Sequence, residues 1–253
     1  MRSIWSWAGS VACAVAALVT ALPAAAMTVQ PVVVDLKMAG REMSAPIRVE
    51  NNSPNPLPVE IRIVEADFAP DTVRASDRKS EDILAMPPQA LIAPGATQVF
   101  RLQYVGDPDE AKSKHYYAEV AQLAVELPQG QSAIQILYNF QVMVNVASLT
   151  GGKPQLSIIN SKVEKNADGK NVFAFDVSNT SNNYGYLSSS RLTLTQKDGG
   201  KELARRSMTS SDIQQQIGFG LVGPGLTRHF VTPVEAAGAV GTAEVTMKTE
   251  RTP

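Results

Sequence analysis

The sequence predicts an all-β protein built from two antiparallel β-sandwich units, and three observations carry that expectation. A short phrase occurs twice, as Ala93-Pro94-Gly95-Ala96-Thr97-Gln98-Val99-Phe100 and as Gly223-Pro224-Gly225-Leu226-Thr227-Arg228-His229-Phe230, each a Pro-Gly turn leading into a strand-like run. A strand-like segment carrying Asn at its fifth position precedes each copy, Ile47-Arg48-Val49-Glu50-Asn51-Asn52 and Phe175-Asp176-Val177-Ser178-Asn179-Thr180. The distance is 43 residues from Asn51 to Pro94 and 45 from Asn179 to Pro224, as expected of one architecture used twice. Nearly every other segment reads as a short strand bounded by Pro, Gly, Asn and Asp clusters, and none offers a capped, apolar helical stripe.

Residues 1–26 are expected to lie outside the fold. Arg2 supplies a positive start, residues 11–22 are apolar and Ala-rich, and Ala24-Ala25-Ala26 offers the small residues of a signal-peptidase site. The apolar stretch is shorter than the roughly 20 residues of a spanning helix, which favours removal over anchoring. Cys13 lies in this stretch without the leucine usual before a lipidated cysteine, and it is the single cysteine. The mature chain is therefore expected to be exported and free of disulfides, held by two cores near the about 100-residue size of an immunoglobulin-like sandwich. Without Arg2 it carries 22 basic against 24 acidic residues, which gives no electrostatic reason to invoke nucleic acid or an anionic membrane.

In order, strands are expected at residues 29–36, 46–50, 58–65, 98–105, 116–127 and 133–146. In the run from Pro58 to Glu65, Val59, Ile61 and Ile63 share one face, the mark of a half-buried strand. Residues 67–86, rich in charges of mixed sign, read as an exposed connection between strands. Leu149-Thr150-Gly151-Gly152-Lys153-Pro154 has the composition of a linker. The expected division is thus a first unit at 27–149, a linker at 150–153 and a second unit at 154–253. In the second unit strands are expected at 155–163, 171–178, 188–196, 226–233 and 241–248, with Asp198-Gly199-Gly200 as a hairpin turn.

Motifs of catalysis are missing. His115 and His229 are the only histidines, they fall in different units, and no recognised ligand spacing joins them into a metal site. Gly-x-Ser-x-Gly, phosphate-binding Gly loops and His-Glu-x-x-His do not occur. The Gly-rich run from Gly218 to Gly225 leads into a strand, so the anion-binding logic of a helix N-terminus does not apply. No cofactor, metal or enzymatic activity is expected, and binding is the favoured class of function.

Residues 133–146 form the longest regular alternation, with Ile134, Ile136, Tyr138, Phe140, Val142, Val144 and Val146 on one face. Spacing alone favours a central strand burying this row in its own core. The competing reading is that part of the row passes beyond the core and is offered to another chain.

The chain resembles the periplasmic chaperones of the chaperone-usher pilus pathway, the PapD-like family. The resemblance rests on Pro31, the Ile47 to Asn52 segment, Met86-Pro87-Pro88, Ala93-Pro94-Gly95 leading to Val99-Phe100-Arg101-Leu102, Val125-Glu126-Leu127-Pro128, the long strand, and Val222-Gly223-Pro224-Gly225. It implies two immunoglobulin-like sandwiches in a boomerang arrangement, a periplasmic location, and partners in pilus subunits and an outer-membrane usher. It implies no nucleic acid and no membrane insertion of the mature chain, and leaves self-association through the edge strand open. The long strand would complete incomplete subunits through Ile134, Ile136, Tyr138 and Phe140. Family chaperones grip the subunit's C-terminal carboxylate with an Arg and a Lys, but the corresponding positions here are Val33 and Met143. Either the register differs, or the chain is similar to the divergent archaic, Csu-type branch. Arg101 and Lys114 are the candidate anchors, Arg101 having an ordinary alternative as a structural ion-pair partner. The competing function is an exported adhesin or carbohydrate-binding protein, for which Tyr184 and Tyr186 beside Asn182-Asn183 form the one close aromatic loop pair.

Overall fold

A computed structural model describes residues 27–124, 136–238 and 242–249. The first unit contains β1 (Met27–Gln30), β2 (Val33–Lys37), β3 (Ser44–Asn51), β4 (Leu57–Phe68), β5 (Val73–Lys79), β6 (Ile83–Met86), β7 (Gln89–Ile92), β8 (Thr97–Tyr104), β9 (Lys114–Gln122) and β10 (Asn139–Ala147). They form a sheet ordered β1-β3-β8-β6 facing a sheet ordered β2-β10-β9-β4-β5, with β7 also paired to β4. The core between them includes Ile47, Val49, Val59, Phe100, Leu102, Ala118, Val120, Val144 and Val146, all fully buried. Period-two alternation places these side chains inward and their neighbours in solvent.

The expected strand at 29–36 is divided. Val29 pairs with Val49 in one sheet, whereas Val33 pairs with Met143 in the other. Pro31 lies at the crossing, where its missing N–H leaves no ladder bond to make and the chain changes sheets.

Residues 67–86 depart from the expected exposed connection. They contain the end of β4 and all of β5 and β6. β5 is a solvated edge strand beside β4, and its Arg78 bonds Glu65 and Asp67, each at 2.7 Å. Charges that read as loop composition are what keeps such an edge from pairing with other chains. In β6, Ile83 and Ala85 point into the core.

The second unit contains β11 (Leu156–Lys165), β12 (Asn171–Asn179), β13 (Gly185–Tyr186), β14 (Ser190–Asp198), β15 (Lys201–Met208), α1 (Ser210–Gln216), β16 (Leu221–Val222), β17 (Thr227–Glu235) and β18 (Thr242–Thr249). Sheets β11-β12-β17 and β15-β14-β18 enclose a separate core around Phe173, Phe175, Val177, Leu187, Leu192, Leu194 and Ile213. Asp198 and Lys201 face each other across Gly199 and Gly200, whose φ angles of 54° and 86° are those of a tight hairpin. The helix α1 has no counterpart in the sequence reading. Seven residues are too few to show a helical period, but Thr209 and Asp212 form a capping box, and Ile213 is buried.

The repeated phrase is a device for closing each sandwich. Asn51 Nδ2 donates to the carbonyls of Asn55, Ile92 and Ala93 at 2.8, 3.0 and 3.2 Å. Asn179 Nδ2 donates to those of Asn183, Val222 and Gly223 at the same three distances. In each unit one buried amide ties the end of a strand to the carbonyls just before a Pro-Gly turn, whose glycine has φ near 70°.

Candidate functional site: a free strand edge and the joint between the units

β10 pairs with β9 along Asn139 to Val146 but with β2 only from Met143 to Ala147. Its first four residues, Asn139 to Val142, therefore have β9 on one side and, among the described residues, no strand on the other. The expected apolar row divides along the same axis. Val142, Val144 and Val146 are in the core; Tyr138 and Phe140 are half-buried against its rim, their ring centroids 6.5 Å apart. Ile136 is 70 % exposed and Leu137 is 49 % exposed. Residues 136–138 precede the strand, so the described strand is shorter than the expected run, and Ile134 lies outside the described residues. An unpaired strand edge beside exposed apolar side chains is chemically a template for another strand.

The two expected anchors occupy other settings. Arg101 is on β8, in the sheet that lacks β10, and donates to Ser44 Oγ from Nε at 3.1 Å and Nη2 at 2.6 Å. Lys114, opposite Val146 at the end of β9, is engaged by Asp82 at 3.2 Å and Glu110 at 3.5 Å. Burial works to lower its pKa, but Asp82's hydrogen bond and charge prevail and raise it. Val33 and Met143 are direct partners in the β2–β10 ladder, so the two apolar positions do lie side by side.

A polar cluster joins the units. The Asp35 carboxylate on β2 accepts from Tyr184 Oη at 2.9 Å, Tyr186 Oη at 2.5 Å and Asn145 Nδ2 at 3.3 Å. Asn145 Nδ2 also donates to Tyr186 Oη at 2.7 Å. Its amide nitrogen being so occupied, Asn145 Oδ1 is the acceptor facing His115 Nδ1 at 2.7 Å, and Nδ1 carries the proton. The His115 ring stands edge-on to Phe68 and Tyr184, at 5.0 and 5.3 Å between centroids. Burial lowers its pKa to about 4, so the ring is neutral in ordinary buffers. Burial, with Asp35's charge, pushes both tyrosines above their ordinary range. Asn183 adds a reciprocal pair with the Ser148 backbone at 2.8 and 3.0 Å.

The loop tyrosines that an adhesin reading would use are thus committed to the joint. Sequence reasoning missed Asp35 and Asn145, because a lone Asp and a lone Asn on alternating strands look like solvent-facing residues until a second unit covers them. His229 is also accounted for, bonded to Asp176 at 2.6 Å and Glu164 at 3.3 Å. Among the described residues no group of three or more His, Cys, Asp or Glu side chains is placed to hold a metal ion.

Arg228 lies at the same joint. Its Nη1 donates to the Leu221 carbonyl at 2.7 Å, and its Nη2 reaches the Asp71 carbonyl of the first unit at 3.1 Å. The guanidinium carbon sits 4.9 Å from the Phe230 ring centroid. The residue is 8 % exposed, and among the described residues its Nε has no partner. The sequence signal available for it was its place in the second copy of the repeat, where the first copy has Gln98.

No family model matches the sequence, and no curated protein matches it. Solved structures do. A chain in the complex of the Salmonella enterica SafA pilin with the SafB chaperone is similar with a TM-score of 0.53 at 12% identity, over 89% of this chain and 96% of that one. The class 5 fimbriae chaperone CfaA aligns with a TM-score of 0.50 at 12% identity, over 89% of this chain and all (100%) of that one. A chain of a chaperone–tip adhesin complex of CFA/I fimbriae biogenesis aligns with a TM-score of 0.50 at 13% identity, over 88% and 99%. The chain has the two-domain, all-β fold of the chaperone-usher pilus chaperones.

Proposed function

We propose that this protein is a non-enzymatic periplasmic chaperone that captures pilus subunits by lending them a strand, and passes them to an outer-membrane usher. The observation that carries the reading is the edge of Asn139 to Val142, unpaired among the described residues and preceded by the exposed Ile136. A subunit whose sandwich lacks one strand presents the complementary need: backbone groups to pair and a groove to fill. Full burial of a large apolar side chain contributes roughly 1.5 to 3 kcal/mol before ordering costs. Ile136 has most of its surface still to bury, whereas Tyr138 and Phe140 have already buried part of theirs on the chaperone's own core. Exchange for a better-packing strand would release the subunit without ATP. The reading includes a cleaved leader at 1–26, a unit boundary at 150–153, and Ile134 as a further donor.

The test is co-expression of the mature chain with a pilus subunit encoded beside it. A stable 1:1 complex is expected, and Ile136→Asp should abolish capture while leaving the thermal midpoint unchanged, since an unpaired charge would enter the subunit groove. A subunit that is equally soluble alone and forms no complex would sink the reading. Undiminished capture by the variant would remove the strand assignment.

A further inference from the structure

The free stretch of β10 has an outer face, turned away from the core, and that face carries a fixed polar pair. Met143 N–H donates to the Val32 carbonyl at 3.0 Å, and the Tyr138 carbonyl accepts from Gln122 N–H at 2.9 Å. Odd-numbered residues of β10 therefore turn their backbone groups toward the β2 side, and even-numbered ones toward β9. Along Asn139 to Val142, the groups unpaired among the described residues are then the N–H and C=O of Asn139 and Gln141, both exposed. The Gln141 side chain is held in place. Its Nε2 donates to Glu119 Oε1 on β9 at 3.2 Å. A carboxylate only accepts, so the amide nitrogen takes that side and Gln141 Oε1 is left as an acceptor. Glu119 lacks a cation of its own. Arg62 stands opposite it on β4 but bonds Glu60 at 3.2 Å, and among the described residues no other cation pairs with Glu119. The row Arg62, Glu119, Gln141 thus crosses the sheet and stops at its free edge. Asn139, opposite Ala121, has no such support.

We propose that Gln141, positioned by Glu119, is a specificity-determining residue that selects strands carrying a basic side chain on their outer face, beside Gln141. An added strand lies about 4.8 Å from β10, within reach of a Lys or Arg side chain laid across the gap. Its cation would donate to Gln141 Oε1 and stand in the field of the Glu119 carboxylate behind it. Such a contact supplies register more than affinity. A slip of two residues keeps every apolar side chain on the inner face, so the inner row alone tolerates it. A single polar contact on the outer face does not. The proposal rests on the capture reading for the arrival of a strand, and adds which strand is preferred.

The test uses the full mature chain and three end-blocked peptides: an alternating Val/Thr parent, a version with one central Thr replaced by Lys, and a version with the same Thr replaced by Glu. Binding is read by calorimetry, and hydrogen exchange at Asn139 and Gln141 reports whether the peptide occupies this edge. The Lys version should bind about two- to fivefold tighter than the parent at low salt, and the Glu version more weakly than the parent. Both differences should shrink as salt is raised, because the pair is exposed. Gln141→Val should remove the Lys preference. Glu119→Gln, which keeps a side-chain acceptor for Gln141 but removes the charge, should reduce the preference and its salt dependence together. Equal binding of the three peptides by the wild-type chain, binding of none, or a Lys preference without slowed exchange at the edge overturns the proposal. So does a Lys preference that survives in folded Gln141→Val. The wild-type comparison decides even if a variant does not fold. Subunit capture without a Lys preference overturns this proposal alone. A Lys preference at this edge without subunit capture overturns the capture reading alone.

Discussion

Replacing Asn51 with alanine tests whether the repeated phrase closes the first sandwich. Asn51 is fully buried, and its amide nitrogen serves three carbonyls with two N–H groups, so two full bonds are at stake. Its Oδ1 accepts from the Ser53 backbone N–H at 2.9 Å, a third. At roughly 1 kcal/mol net for each bond, Asn51→Ala should cost about 3 kcal/mol. For a cooperative unit of about 120 residues, that corresponds to a midpoint roughly 12 °C lower. Asn52 is the control, exposed and bonded through its side chain to Thr28 Oγ1 at 2.9 Å; its replacement should stay within about 0.5 kcal/mol. Thermal denaturation followed by circular dichroism reads the difference, and hydrogen exchange at residues 92–96 should rise in Asn51→Ala alone. Equal midpoints for the two variants would refute the reasoning, because the buried amide would then contribute no more than a surface one.

The corresponding Asn179→Ala should destabilise the second unit similarly, with faster exchange at residues 222–226 as the readout. Gly220→Ala should lower stability by more than about 1 kcal/mol, since a Cβ would lie 2.6 Å from that of buried Leu187 at φ +65°; an unchanged midpoint would count against the packing. At His229, burial lowers the pKa but the bonds to Asp176 and Glu164 outweigh it and raise the value in the folded state. Its stabilisation is then complete below the ordinary histidine value near 6.5 and fades as pH rises through the raised one, a dependence His229→Gln should lack in pH-resolved melts. Asn145→Ala should cost about 2 kcal/mol, leaving His115 Nδ1 without its acceptor at the joint, and small-angle scattering should show a broader spread of inter-unit angles.

Much of the architecture was legible in the chain because β structure writes its burial locally. Val59, Ile61 and Ile63 alternate inward as spaced, and the two Asn and Pro-Gly phrases occupy equivalent positions in two cores. β5 was hidden because an edge strand needs solvated charge, which looks like a loop, and α1 because one capping box and seven residues show no period. The candidate donor row was legible as an alternation, but the division between core and exposed residues was not. Where the edge of β10 is covered and where it remains free depends on where β2 begins beside β10, a contact between residues more than 100 positions apart.

By itself, then, the sequence determined the inward-alternating core strands, the duplication and the apolar row, each the product of neighbours along the chain. The tertiary structure alone decided the rest. Asp35, Asn145, Tyr184 and Tyr186 become one cluster only when two sandwiches meet. The position of Arg228 beside the Val33–Met143 pair likewise depends on folding both units, because a buried charge is defined by what surrounds it in space.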